Sequence, residues 1–246
     1  MSETIKYGII GTGVMGQEHI QNINLIENAE VVAVCDTNES SRNQAKSLVR
    51  ESTKFYNDLN ELISKNIADA YIIATPNFTH INVLEQILKT NKHLLIEKPL
   101  CTTTEDCKKF ELLSKDYSKI IWTGMEYRYM PPVTQLINEV HNHVIGKIKM
   151  LSIREHRFPF LNKVDDWNRF AINTGGTLVE KCCHFFDLMR LVIQSEPIKV
   201  YASGSQDVNH LEEKYDGKTP DIIDNAYVIV DFENGVRGML DLCMFA

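Results

Sequence analysis

Three glycines near the start of the chain have the spacing of a phosphate-binding turn. The stretch Gly11-Thr12-Gly13-Val14-Met15-Gly16 follows an apolar run, Ile5 to Ile10, and precedes a segment with helical periodicity that reaches about Ile26. In this setting the first glycine permits a tight turn, the second lets a pyrophosphate approach the backbone, and the third lets the helix pack closely on the sheet. The positive end of the helix then faces the phosphates. We therefore predict that residues 11–16 bind a dinucleotide.

A carboxylate beyond this turn predicts which dinucleotide is bound. Asp36 ends the next apolar run, Val31 to Cys35, and can accept hydrogen bonds from both hydroxyls of an adenosine ribose. A 2′-phosphate would meet like charge at this position, so the sequence favours NAD over NADP. Arg42 is close enough in sequence to clamp such a phosphate, which keeps NADP open as an alternative. Asp36 could instead cap the helix that follows.

Two charged residues directly after a buried strand indicate a second part of the site. Glu97 and Lys98 follow an apolar run that begins at Leu94, and Pro99 restrains the backbone at a position where a cis bond is typical of a tight functional turn. The carboxyl ends of strands in an open α/β sheet face the ligand crevice, so we expect both charged side chains there. A surface ion pair at the end of a strand is the alternative.

Three polar residues in the second half of the chain share one face if residues Leu178 to Ile193 form a helix. Glu180, His184 and Asp187 are four and three residues apart, which places them on the same side. His184 could relay a proton from this face, because histidine exchanges protons near neutral pH. Two structural alternatives remain open. Thr177 and Glu180 have the spacing of a capping box, and His184 could be a hydrogen-bonded core residue.

No metal site is predicted from the cysteines beside this face. Cys182 and Cys183 are adjacent, and neighbouring side chains on a helix point about 100° apart, so the two thiols cannot easily bind one ion. A second ligand cluster is also missing from the sequence. We expect both cysteines to be small core residues. A metal bound by Glu180, His184 and Asp187 is the alternative.

The elements that position these residues follow two different patterns. In the first half, short apolar strands alternate with amphipathic stretches, which predicts a parallel sheet covered by helices on both faces. Beyond Gly124 the chain has longer alternating runs, and Asn234-Gly235 between two of them predicts a hairpin. We predict an α/β fold with an N-terminal Rossmann dinucleotide-binding domain over residues 1–124. An α+β domain with a mostly antiparallel sheet follows over residues 125–246.

Composition excludes several classes of protein. The chain has 26 Lys and Arg against 33 Asp and Glu, a formal net charge of −7, which argues against a nucleic-acid surface. No apolar stretch is long enough to cross a bilayer. Six cysteines without a C-x-x-C pair indicate reduced thiols. We therefore expect a cytoplasmic protein that binds a small molecule, with no nucleic-acid or membrane partner.

The last residues suggest that the chain is part of a longer protein. Cys243-Met244-Phe245-Ala246 lies within an apolar, strand-like run, whereas natural C-termini usually end in polar surface residues. We therefore expect the second domain to be incomplete.

Taken in order, the motifs resemble the glucose–fructose oxidoreductase and inositol dehydrogenase family, often called Gfo/Idh/MocA. The glycine turn is shared with many folds, but Glu97-Lys98-Pro99 with a downstream Gly-Gly and histidine is specific. The matching segments cover nearly the whole chain: residues 11–16, Ala74-Thr75-Pro76-Asn77 with His80, Glu97-Lys98-Pro99, Tyr127-Arg128-Tyr129-Met130-Pro131-Pro132, and Gly175-Gly176-Thr177-Leu178 leading to His184.

The resemblance implies an NAD(P)-dependent oxidoreductase that acts on a hydroxyl or carbonyl group of a sugar, polyol or cyclitol. It also implies a homo-oligomer formed through the sheet of the second domain. Lys98 would stand where nicotinamide meets substrate, and His184 would relay the proton. The implied cofactor-binding residues are Thr75, Pro76, Asn77, His80, Glu97 and Lys98, and the substrate-binding residues are Lys98, Arg128, Trp167, Glu180 and His184.

Some features leave the function open. Glu180 stands where aspartate is commoner in the family, and Lys181 lies beside it, so the substrate-binding residues depart from the family's usual pattern. Trp167 is expected either to form the floor of the pocket or to pack in the core. An NAD-dependent glycosidase of the same family is one alternative function. A non-catalytic NAD- or sugar-sensing protein is another, since a fold does not guarantee an activity.

Overall fold

The computed structural model describes residues 3–246, which form two compact units that divide between Gly124 and Met125. In the first unit, strands and helices alternate along the chain. The strands are β1 (Ile5–Ile10), β2 (Ala29–Cys35), β3 (Lys54–Tyr56), β4 (Ala70–Ile73), β5 (His93–Ile96) and β6 (Ile121–Thr123). The helices are α1 (Val14–Ile23), α2 (Glu39–Lys46), α3 (Leu59–Lys65), α4 (His80–Ile87) and α5 (Thr104–Ser114), with short 3₁₀ turns at Asn77–Thr79 and Leu88–Thr90.

The first sheet is parallel throughout, in the order β3-β2-β1-β4-β5-β6. Helices cover both faces of this sheet. Successive residues on one strand therefore pack into different apolar clusters. Ile9 and Ile72 pack with α1 and α2, whereas Ile10 and Ile73 pack with helices on the opposite face. Strand order reverses between β1 and β4, the point at which open α/β sheets bind their ligands.

The second unit places helices on one face of a four-stranded sheet. Its strands are β7 (Met150–His156), β8 (Pro197–Ser205), β9 (Asn225–Phe232) and β10 (Arg237–Cys243), in the order β7-β10-β9-β8. Its helices are α6 (Pro131–His141), α7 (Ala171–Thr174), α8 (Thr177–Glu180) and α9 (Cys183–Ile193), with 3₁₀ turns at Glu126–Tyr129 and Val164–Arg169.

Alternate residues of β9 cover the core of this second unit. Ala226, Val228 and Val230 are buried against α9, whose Phe185 and Met189 fill the same cluster. Pairing is antiparallel in β9–β10 and β8–β9 and parallel in β7–β10. The predicted fold class, a Rossmann domain followed by an α+β domain with a mostly antiparallel sheet, is confirmed.

Several elements differ from the sequence-based expectation. The helix after the glycine turn ends at Ile23 and not near Ile26, because the N–H groups of Leu25 and Ile26 bond to carbonyl oxygens three residues back and not four. The predicted hairpin at Asn234-Gly235 is present between β9 and β10. The sequence pattern of apolar and polar residues did not predict several elements of the structure: β3, α2, α5, α6 and β8.

Candidate functional site

The glycine turn after β1 leaves open space at one glycine and none at the other two. A Cβ atom on Gly11, whose φ is +89°, would lie 2.6 Å from the carbonyl group of Ala74, and one on Gly16 would lie 2.0 Å from the carbonyl oxygen of Gly11. A Cβ atom on Gly13 would meet no protein atom within 4 Å. Gly13 is also the N-cap of α1 and contributes no capping side chain. This cradle fits a pyrophosphate held by backbone N–H groups.

Asp36, directly after β2, braces this turn. Its Oδ2 accepts hydrogen bonds from the backbone N–H of Thr12 at 2.7 Å and from the Thr12 hydroxyl at 3.1 Å, and its Oδ1 accepts from the N–H of Asn38 at 2.8 Å. The side chain that caps α2 is Asn38, so the capping alternative for Asp36 is wrong. The carboxylate is half-buried and lies beside the glycine turn. Its contact with a ribose remains a prediction.

Arg42 is turned toward the backbone next to Asp36. Its Nη1 donates to the carbonyl oxygen of Asp36 at 2.5 Å and to that of Thr37 at 2.9 Å. The guanidinium therefore closes the loop between β2 and α2.

The segments after β4 and β5 lie at the same edge of the sheet as the glycine turn, because β1, β4 and β5 are parallel neighbours. Thr75 and Pro76 follow β4 and are half-buried, and Asn77 is buried at the start of a 3₁₀ turn. The Nδ2 atom of Asn77 is buried and has no hydrogen-bond partner. A buried donor of this kind suits a polar ligand that accepts a hydrogen bond.

His80 is fully buried and joins the two segments. Its Nδ1 lies 2.9 Å from the carbonyl oxygen of Pro99 and its Nε2 lies 3.0 Å from that of Thr75. Burial lowers the pKa of this imidazole, and the two carbonyl contacts oppose that effect only in part. The ring is therefore held between the segments that follow β4 and β5. The expectation that His80 lines the cofactor remains a prediction.

Glu97 and Lys98 directly follow the last residue of β5. The Lys98–Pro99 peptide bond is cis, as the sequence suggested. Lys98 is half-buried and Glu97 is buried. A carboxylate oxygen of Glu97 lies 2.6 Å from Nε2 of His19 on α1, and the other accepts from the N–H of Lys98 at 3.2 Å. Sequence reasoning missed His19, although its position three residues after Gly16 places it on the same side of α1.

In the second unit, His184 lies beneath the 3₁₀ turn Glu126–Tyr129. Its imidazole stacks on the ring of Tyr127, with centroids 4.1 Å apart and planes 7° from parallel. Nε2 of His184 lies 3.4 Å from a carboxylate oxygen of Glu126 on the same turn. His184 is buried, so its orientation is set by the packing of this turn on α9. Sequence reasoning missed Glu126 and assigned no role to Tyr127.

Arg128 forms a two-pronged ion pair with Asp187, one turn beyond His184 on α9. Its Nε and Nη2 atoms donate to the two carboxylate oxygens of Asp187, the first at 2.5 Å. These hydrogen bonds raise the pKa of the arginine further. The pair fixes the turn that carries Tyr127 against α9. The expectation that Arg128 binds substrate remains a prediction.

The segment that contains Glu180 is broken into two helices, so the single helix predicted from Leu178 to Ile193 is wrong. Glu180 ends α8, and α9 begins at Cys183, which removes Glu180 from the helix that carries His184. The capping box is also wrong. Gly176, with φ of +84°, is the N-cap of α8, and the Thr177 hydroxyl donates to the carbonyl oxygen of Ile223 at 2.5 Å. Glu180 is buried.

Two further predicted residues have clear positions. Trp167 is half-buried in the 3₁₀ turn Val164–Arg169, where its carbonyl oxygen accepts from the side chain of Asn173 at 2.9 Å. Its place in a pocket remains a prediction. Cys182 is buried in the core of the second unit, as expected, and Cys183 is half-buried.

Lys181, which sequence reasoning noted only as a neighbour of Glu180, has two polar partners on other elements of this unit. Its Nζ donates to the phenol oxygen of Tyr127 at 2.6 Å and lies 3.1 Å from a carboxylate oxygen of Glu155 on β7. It also lies 5.0 Å from the centroid of the Tyr127 ring and 5.5 Å from that of Phe185.

Two other features are absent from the part of the chain that the structure describes. Among residues 3–246, no group of three or more His, Cys, Asp or Glu side chains is arranged to hold a metal ion. In the same part of the chain, no helix has the length and apolar character needed to cross a bilayer.

Comparison with known proteins matches both units to one family. The Gfo/Idh/MocA model for an oxidoreductase family with an NAD-binding Rossmann fold matches residues 5–125, and the model for the C-terminal alpha/beta domain of the same family matches residues 137–246. Both matches confirm the resemblance drawn from the sequence motifs.

Individual relatives are longer than this chain. A myo-inositol 2-dehydrogenase from Thermotoga maritima is 29% identical over 237 residues, which cover 96% of this chain and 68% of the relative. The crystal structure of a probable dehydrogenase from Thermotoga maritima matches with a TM-score of 0.83 and 30% sequence identity. The matched region covers 98% of this chain and 69% of the dehydrogenase chain. The WlbA dehydrogenase from Bordetella pertussis, solved with NADH and UDP-GlcNAcA, shares the fold, with a TM-score of 0.85 at 19% identity over 99% of this chain and 73% of its own.

Proposed function

Because the chain belongs to the Gfo/Idh/MocA family of NAD-binding oxidoreductases, we propose that it is a dehydrogenase that transfers hydride between NAD and a hydroxyl-bearing carbon of a polyol, cyclitol or sugar. The observation that carries the proposal is the arrangement at one edge of the first sheet. The cradle at Gly13, the carboxylate of Asp36 and the half-buried Lys98 all follow the carboxyl ends of parallel strands. The Thermotoga maritima relative named myo-inositol 2-dehydrogenase supports the substrate class.

NAD is the preferred cofactor in this proposal. Asp36 places negative charge beside the cradle, where it favours ribose hydroxyls and repels a 2′-phosphate. Arg42, the residue that could reverse this preference, donates to two backbone carbonyl oxygens. Those contacts favour a structural role for the guanidinium over phosphate binding.

Lys98 and His184 are the proposed catalytic residues. The nicotinamide ring accepts or supplies the hydride when NAD is bound. Alcohol oxidation also requires loss of a hydroxyl proton, and the alcohol is a very weak acid. The ammonium of Lys98 donates a hydrogen bond to the reacting oxygen and stabilises its developing negative charge. His184 accepts the proton, since imidazole exchanges protons near neutral pH.

The Glu97 and His19 pair supports this role for Lys98. Glu97 accepts from the N–H of Lys98 and is itself held at 2.6 Å by His19, so the backbone from which the lysine projects is fixed on two sides. A catalytic side chain on a rigid backbone needs little reorganisation during the reaction.

A spectrophotometric screen tests the proposal. NAD or NADP is incubated with polyols, inositols and aldoses, and nicotinamide reduction is followed by absorbance. We expect reduction of NAD with at least one cyclic or acyclic polyol and slower reduction of NADP. Sugar release from glycosides without added NAD would instead identify the glycosidase alternative. NADH binding without turnover across the panel would identify a sensing protein.

A further inference from the structure

We infer that Lys181 is a positioning residue that orients the catalytic imidazole of His184 through the ring of Tyr127. The inference rests on the proposed function, in which His184 moves a proton. Nothing in the family resemblance assigns a role to a lysine at this position, which the sequence marks only as a neighbour of Glu180.

The ammonium of Lys181 is held in one place by its partners. Lys181 is 6% exposed, and burial of a charge is costly unless the charge is paired and hydrogen-bonded. Glu155 supplies the opposite charge at 3.1 Å, and the phenol oxygen of Tyr127 accepts a hydrogen bond at 2.6 Å. The ring of Phe185 offers a π-face at 5.5 Å.

The ammonium of Lys181 in turn restrains the side chain of Tyr127. Tyr127 lies on a short 3₁₀ turn and is half-buried, so the backbone alone restrains its ring less than a long helix would. The hydrogen bond from Lys181 holds the ring at its oxygen end. The Arg128–Asp187 pair holds the next residue of the same turn against α9.

Tyr127 sets the plane of the His184 imidazole. The two rings lie 4.1 Å apart at 7°, so a rotation of the imidazole about its own bonds would break the stack. Glu126, on the same turn, lies 3.4 Å from Nε2. A chain of contacts thus runs from Glu155 through Lys181 and Tyr127 to His184.

Two variants test the inference without removing a proposed catalytic group. Lys181→Met keeps the length and apolar stem of the side chain but removes the ammonium, and Tyr127→Phe removes only the phenol oxygen. Glu155 is 23% exposed, so water can solvate its carboxylate when the ammonium is lost. Lys199→Met, at an exposed position on β8, is the matched control.

Kinetics should separate positioning from binding. We expect both variants to lower kcat about tenfold with KM changed less than threefold, the pattern of a lost transition-state interaction. The double variant should lose no more than either single variant, since both break one contact. Lys181→Arg should recover most of the activity. The Lys199→Met control should match the wild type.

A spectroscopic measurement decides the inference independently of activity. The stacked ring of Tyr127 shifts the NMR signals of the His184 ring protons upfield, and these signals can be assigned from a His184→Asn spectrum. Lys181→Met should move them toward the position of an unstacked histidine. Unmoved signals would overturn the inference even if kcat falls. The wild type could also prove inactive while the His184 signals still move in Lys181→Met. That result would refute the proposed function but support the contacts from Lys181 through Tyr127 to His184.

Discussion

Replacement of two glycines by alanine should separate cofactor binding from folding. Gly13 has φ of −66°, which alanine adopts readily, and an added Cβ atom would meet no protein atom within 4 Å. Alanine reduces the freedom of the unfolded chain, worth about 0.4–1 kcal/mol, but is a poorer N-cap than glycine by a similar amount. We therefore expect Gly13→Ala to change the free energy of unfolding by less than about 1 kcal/mol.

NAD binding should respond very differently in the same variant. The added methyl group would occupy the space in which the pyrophosphate approaches the backbone. Loss of one hydrogen bond to a charged group costs about 1.5–3 kcal/mol. The dissociation constant should therefore rise roughly 10- to 150-fold.

Gly16→Ala is the converse control. Its Cβ atom would lie 2.0 Å from the carbonyl oxygen of Gly11, a backbone atom that cannot rotate away, so α1 must move off the sheet. Such overpacking destabilises a protein by about 1–3 kcal/mol. Urea unfolding and calorimetric titration with NADH measure the two quantities. If Gly13→Ala binds NADH within threefold of the wild type, residues 11–16 do not form the phosphate cradle.

Three other perturbations have defined outcomes. Lys98→Ala should retain NADH affinity and lose at least about a hundredfold in turnover, the usual scale for a group that acts on a proton in the transition state. Unchanged turnover in this variant would remove Lys98 from the chemistry. Asp36→Ala should weaken NADH binding and lower the ratio of NADH to NADPH affinity at least about tenfold, measured by nucleotide fluorescence, because the repulsive carboxylate is gone. Burial lowers the pKa of His80 in the folded chain. Below about pH 6.5 the unfolded chain therefore takes up a proton that the folded chain does not. The free energy of unfolding should fall as the pH drops, by up to about 1.4 kcal/mol per pH unit. His80→Gln should flatten that slope in urea unfolding at pH 7.5, 6.5 and 5.5, and equal slopes would contradict the burial argument.

Local patterns predicted the alternation of strands and helices in the first unit, although β3, α2 and α5 were not predicted individually. The strands β1, β4 and β5 are short apolar runs that are followed within three residues by glycine or proline, and the glycine turn follows β1 directly. The helix α2 was missed because Glu39–Lys46 is almost entirely polar and buries only Ser41 and Ala45. Its helical signal lies in the cap, where Asn38 accepts from the N–H of Ser41.

Long-range pairing limited what the sequence could predict in the second unit. The contact between Lys181 and Glu155 joins residues from a turn and a distant strand, and neither residue has a local pattern that indicates a partner. The break between α8 and α9 was missed because apolar residues continue through it at helical spacing. The burial of Glu180 at that break could not be deduced from its spacing to His184.

The parallel pairing of β7 with β10 has a consequence for the order in which the chain folds. Partners on these strands, such as Arg154 and Asp241, are separated by 87 residues, whereas β9 and β10 are joined by a tight turn. Closing so long a loop is entropically costly, and it slows formation of the contacts that depend on it. During synthesis every strand of the first sheet has been made once Thr123 is added, but β7 must wait for β10. The second sheet is therefore the slower to assemble, and the unpaired edge of β7 is the segment most exposed to mispairing in a newly made chain.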